Sequence, residues 1–213
     1  VRGVVFGVVL FLAFLALGAA VAPHLPGTLD RGELGTFGRD VQLATVGRAA
    51  GQFPVYATLC ALVLGFGLVR RAYLGAALWL IGLMLVVWKT SDAFKEVFHR
   101  ARPDQWIGVH ESTAGYPSGH ATLSLAFYGF LAGVLLRSRL PGGVRVAGTV
   151  VAVALVAAIG WSRLALGAHF PSDVLGGYLL GGAGLCWALA GYDRTRERAP
   201  EPVGSRFRGR YTR

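Results

Sequence analysis

Three short clusters of reactive side chains lie between Lys95 and Asp173. The first is Lys95 with Arg102-Pro103, the second is Pro117-Ser118-Gly119-His120, and the third is Ser162-Arg163 with His169 and Asp173. Together they supply two histidines, three fixed cations, one carboxylate and a small turn of hydroxyl and amide donors. Such a set suits phosphoryl transfer without a metal. A phosphate ester needs its oxygens neutralised, most of all when charge builds on the leaving oxygen. Arginine offers planar bidentate donors and lysine a compact charge, so Lys95, Arg102 and Arg163 read as a phosphate cradle. Ser118 and the Gly119 amide add donors, and glycine lets a ligand approach the main chain. Pro117 fixes the turn before a helix whose N-terminus would itself favour an anion.

The histidines divide the chemistry between them. His169 and Asp173 are four residues apart, so on a helical turn they share one face. A carboxylate that holds one ring nitrogen leaves the other free to attack phosphorus. His169 is then the nucleophile, forming a phosphohistidine. His120 is the general acid for the departing group, and later the base for the water that releases phosphate. Taken singly, Lys95, Arg100 and Arg102 read as cations snorkelling at a membrane interface. Snorkelling does not explain their clustering with two histidines. His24, His99 and His110 have no such company and read as bystanders. Cys60 and Cys186 sit in apolar runs, which implies neither a disulfide framework nor a metal site, and no cofactor is expected.

The elements that must position these clusters are greasy. The chain has 213 residues, 54% hydrophobic and only 15% charged, with a mean hydropathy of +0.54. A soluble domain would carry about 25% charged residues. The formal charge of +10 would suggest nucleic acid in a soluble chain. Here the excess is mostly arginine in short connections and at the C-terminus, so no nucleic-acid partner is expected. Six apolar runs cover residues 3–22, 52–69, 72–88, 121–136, 146–161 and 174–192. Soluble surface could not cover all six, so the expectation is an all-α integral membrane protein built as a six-transmembrane-helix bundle. Ala20-Val21-Ala22 mimics a signal-peptidase site, yet the first run exceeds the usual ~7–15 residue signal core, so a retained helix is expected.

Between the first two runs, Arg31, Arg39 and Arg48 balance Asp30, Glu33 and Asp40. Leu34, Phe37 and Val41 make a short stripe that reads equally as an interfacial helix or a loop. Residues 1–192 are expected to form one domain, with its catalytic half at about 89–180 and a flexible basic tail at 193–213. Gly177 and Gly181 form a small-xxx-small pair suited to close packing inside the bundle. Topology follows from the arginines: Arg70-Arg71, the turn holding Arg137, Arg139 and Arg145, and the tail should face the cytoplasm. That puts both termini inside and all three motif clusters outside.

The motifs Lys95-x6-Arg102-Pro103, Pro117-Ser118-Gly119-His120 and Ser162-Arg163-x5-His169-x3-Asp173 together resemble the three-part signature of the type 2 phosphatidic acid phosphatase superfamily. This superfamily includes lipid phosphate phosphatases, bacterial undecaprenyl-pyrophosphate phosphatases and vanadium haloperoxidases. Tyr116 and the run Phe170-Pro171-Ser172-Asp173-Val174-Leu175 are similar to its membrane branch. The resemblance implies a multi-pass enzyme of the bacterial inner membrane with an extracytoplasmic site and metal-independent dephosphorylation. It implies the same roles for His169 and His120. Its partner is a lipid phosphate or diphosphate, with undecaprenyl or decaprenyl diphosphate the favoured case. Phosphatidylglycerophosphate or phosphatidate hydrolysis and lipid phosphotransfer are the enzymatic alternatives. An anion transporter, which would distribute cations through the bilayer depth, fits the almost charge-free spans poorly. The six apolar spans also argue against a soluble haloperoxidase. Oligomeric state is left open.

Overall fold

The structure is a computed structural model that describes residues 1–22, 30, 40–104, 107 and 112–198. Its elements are α1 (Arg2–Val21), α2 (Val41–Ala50), α3 (Phe53–Val69), a 3-10 turn (Arg71–Tyr73), α4 (Leu74–Phe98), α5 (Gly119–Leu136), α6 (Gly142–Ala165) and α7 (Pro171–Arg198). Five helices are long and apolar enough to cross a bilayer by themselves, and α2 with α3 makes a sixth path bent by 46°. Asp40 starts α2 by accepting the Leu43 N–H at 3.0 Å, an N-cap that satisfies one orphan donor. Gly51 and Gln52 interrupt the path, and Pro54 sits in the first turn of α3, where its missing N–H costs nothing.

Helix ends run past the apolar runs where polar residues are needed at the boundary. α4 continues beyond Trp88 to Phe98 and so carries Lys95 on its last turn. α7 continues through Tyr192 to Arg198, tied to α5 by a two-pronged Arg137–Asp193 pair at 2.7 and 2.9 Å. Of the Leu34–Phe37–Val41 stripe, Leu34 and Phe37 lie outside the described residues, and Val41 opens α2.

Lipid tails are as apolar as leucine, so burial of grease does not drive helices together in a membrane; close packing must. Val150, Val151 and Val153 accordingly remain exposed on α6. Between α5 and α7 the main chains touch. A Cβ on Gly177 would lie 2.6 Å from the Ser118 carbonyl oxygen, and one on Gly181 would lie 2.5 Å from that of Thr122. The small-xxx-small pair therefore packs inside the bundle.

A buried aromatic pillar seats the segment before α5. Phe14 of α1 stacks on Tyr116 with centroids 5.4 Å apart and meets Phe94 of α4 edge-on at 4.9 Å. The Tyr116 hydroxyl donates to the Phe14 carbonyl at 2.7 Å. Burial raises this phenol above its ordinary range, keeping it neutral and able to donate. Gly176 of α7 lies flat against the same ring, with no space for a Cβ. The C-terminal ends of α4 and α6, the N-terminal ends of α5 and α7, and the α2–α3 junction thus meet at one end of the bundle.

Candidate active site

α6 delivers Arg163 and then turns the chain sharply. Gly167 adopts a left-handed conformation (φ 64°), which glycine enters without a Cβ penalty. The Gly167 N–H donates to Leu164 O and the Ala168 N–H to Arg163 O, each at 2.9 Å, the paired bonds of a Schellman termination. The reversal brings His169 back toward the end of α6. α7 then starts at Pro171, and Asp173 in its first turn reaches back to accept the Phe170 N–H at 2.9 Å.

His169 is therefore not on a helical turn shared with Asp173, as the four-residue spacing suggested. It precedes α7, and the carboxylate folds back toward it: Nδ1 lies 3.4 Å from Asp173 Oδ2. On the other side of the ring, Nε2 lies 3.0 Å from Arg102 Nη1. Both His169 and Asp173 are buried. Arg102 is itself fixed: Nε donates to Thr113 O at 2.8 Å, Nη2 to Thr113 Oγ1 at 3.1 Å, and Nη1 to Ala168 O at 3.1 Å.

α5 brings the second cluster alongside. The Ser118 N–H donates to the Asp173 carbonyl at 3.0 Å, which couples the start of α5 to the start of α7. The Ser118 hydroxyl is buried, does not cap its helix, and has no hydrogen-bond partner among the described residues. The first N–H groups of α5 lack partners one turn back, as at any helix start. Lys95 Nζ stands 3.7 Å from where a Gly119 Cβ would be, and pairs with the half-exposed Asp92 at 3.7 Å. His120 packs against Gly51, whose other close neighbour is Ile159 of α6. Arg163, wholly buried, acts electrostatically on His120. A cavity of about 440 Å³ opens here, lined among others by Lys95, Gly119, His120, Ser91 and Arg48. All eight residues singled out in the sequence lie at this end of the bundle.

Three other residues belong to the same end and were not assigned to the site from sequence. Arg100 does not snorkel: it is buried, donating to Ser172 Oγ and Asp30 Oδ2 at 2.6 Å each and to Asp173 Oδ1, with its guanidinium over the Phe170 ring. Asp30, read as one charge in a balanced polar region, is buried and also accepts from Ser172 Oγ at 2.9 Å. Ser91 precedes Lys95 by one helical turn, and its buried hydroxyl has no partner among the described residues; that i,i+4 spacing was a usable signal. His99 ends α4 in a left-handed conformation and is exposed, while His24 and His110 lie outside the described residues.

Residues 72–197, more than half of the chain, match the PAP2 superfamily. The chain belongs to that superfamily. This PAP2 chain is 38% identical over 122 residues to phosphatidylglycerophosphatase B of Bacillus subtilis (strain 168), which covers 54% of the chain and 59% of that protein. It is 30% identical over 102 residues to a lipid A 1-phosphatase of Rhizobium etli, covering 43% and 40% respectively. The chain thus matches less than two thirds of the length of either relative. Its fold is similar to the crystal structure of a transmembrane PAP2 type phosphatidylglycerolphosphate phosphatase from Bacillus subtilis, with a TM-score of 0.78 at 26% identity over 91% of this chain and 98% of that one. The PAP2 chain is a multi-pass helical membrane protein.

Proposed function

We propose that this PAP2 protein is a metal-independent phosphatase that cleaves a lipid phosphate or diphosphate through a phosphohistidine on His169. The observation that carries this reading is the His169 ring, with Asp173 behind Nδ1 at 3.4 Å and Arg102 beside Nε2 at 3.0 Å. A ring held in this way keeps its proton on Nδ1 and its lone pair on Nε2. That lone pair then sits next to a guanidinium able to hold the phosphoryl oxygens.

The steps follow from the positions. His169 Nε2 bonds to phosphorus, the bond to the bridging oxygen breaks, and its electron pair leaves with that oxygen, which takes a proton from His120. Water, giving a proton to His120, then attacks phosphorus, frees His169 and releases inorganic phosphate. Lys95, Arg102, Arg163, Ser118 and the start of α5 offset the charge of the transferred group. A cradle of three cations repels a divalent ion, which fits chemistry that needs none. The arginine-rich connections at the far end favour a site at the outer face of a bacterial inner membrane.

Polyprenyl diphosphate is the favoured substrate. Phosphatidylglycerophosphate is the second reading, favoured by similarity to the Bacillus subtilis relative and the Bacillus subtilis crystal structure whose names carry that activity. The test is phosphate release by the purified protein from a panel of lipid monophosphates and diphosphates in excess chelator. Turnover should persist, and vanadate should inhibit it as a trigonal-bipyramidal mimic. A strict metal requirement, or no release from any lipid phosphate, overturns the reading.

A further inference from the structure

Arg48 has no place in the mechanism above, and its position asks for one. α2 packs against α6 through Ala44, Gly47 and Gly51: Ala44 is wholly buried, and Gly47 lies so close to Ser162 that a Cβ would come within 2.8 Å of its side chain. Residues 44, 47, 48 and 51 follow the spacing of one helix face. Arg48 therefore interrupts an inward stripe otherwise made of alanine and glycine. It is only partly exposed, and its buried Nε has no hydrogen-bond partner among the described residues. It lines the same cavity of about 440 Å³ as Lys95, Gly119 and His120.

The side of the cavity matters. Gly51, one turn after Arg48, lies against the His120 ring, and the Arg48 charge reaches His120. On the nucleophile's side, Asp173 and His169 are flanked instead by Arg100 and Arg102. His120 protonates the leaving oxygen, so Arg48 stands on the leaving-group side of phosphorus. Asp92, the carboxylate in this cavity, is half-exposed and pairs with Lys95.

We infer that Arg48 binds a second phosphate, carried by the leaving group, so that the preferred substrates are lipids whose departing portion is itself anionic. The inference rests on the phosphatase reading and narrows it. A diphosphate qualifies, because its leaving group is a lipid monophosphate. A phosphatidylglycerophosphate qualifies, because its leaving group retains a phosphodiester. A single phosphate on a neutral alcohol does not.

The test compares farnesyl diphosphate with farnesyl phosphate, which differ only in the second phosphate, using the full-length protein in detergent. Arg48→Ala should lower kcat/KM for the diphosphate about 10–100-fold, the value of a hydrogen bond to a charged group, and that for the monophosphate by less than about 3-fold. Arg48→Lys should restore part of the loss and Arg48→Gln little. Thermal unfolding of each variant guards against a folding defect, and Arg48→Gln replaces Arg48→Ala if the latter unfolds. Equal loss on both substrates, or none on either, overturns the assignment of Arg48 and leaves the phosphatase intact. Absence of turnover by the unsubstituted protein on every lipid phosphate overturns both.

Discussion

His169 and His120 occupy settings that suit different tasks. His169 is buried, with a carboxylate on one nitrogen and a guanidinium at the other. The His120 ring rests on Gly51, and its Nε2 has no hydrogen-bond partner among the described residues. A nucleophile must be oriented, whereas a general acid must reach an oxygen that arrives with the substrate. His169→Ala should accordingly abolish turnover on every phosphate ester. His120→Ala should cost about 10²–10⁴-fold on alkyl phosphates, as loss of a general acid does, and much less on p-nitrophenyl phosphate, whose phenolate leaves without a proton. Comparing kcat/KM across the two leaving groups checks this; equal loss on both would remove the acid role from His120.

At the scale of elements, the legible parts were those written in local pattern. The apolar runs became the bundle helices, and Gly177 with Gly181 marked the α5–α7 contact, because helix length and small-residue spacing are local quantities. The motif residues were legible as a set because their chemistry is complementary. Arg100 and Asp30 were not, since their pairing spans seventy residues and each alone resembles a surface charge. The bend between α2 and α3 also hid Arg48, which hydropathy left in a polar region between two apolar runs. Contact across α5–α7 has a direct test. Gly181→Ala would drive a methyl into the Thr122 carbonyl, a main-chain atom that cannot swing aside, and should cost about 1–3 kcal/mol as overpacked cores do. Gly65 on α3 has nothing within 4 Å of its Cβ position, so Gly65→Ala should be neutral or slightly stabilising. Thermal unfolding in detergent reads both, and equal effects would refute the close approach.

Across the whole molecule, the carboxylate of Asp173 depends on chain segments far apart in sequence. Arg100, just after α4, bridges Asp173 at the start of α7 and Asp30 from the α1–α2 connection, and Ser172 bonds to both Arg100 and Asp30. Every member is buried, so each charge is tolerable only while the others are present. Removing one partner of such a group leaves an uncompensated charge, at a cost of about 3–5 kcal/mol. Arg100→Ala should therefore lower the unfolding temperature sharply. Where the variant remains folded, it should also lower kcat more than it raises KM, because Asp173 loses the partner that fixes its angle to His169. Arg100→Lys keeps the charge but cannot serve three acceptors in one plane, so it should recover stability better than rate. Asp30→Asn retains an acceptor and removes only the distal charge, and should act in the same direction more weakly. Kinetics below the unfolding transition separate the two effects. A folded Arg100→Ala protein with normal kcat would show that Asp173 is held in place without Arg100.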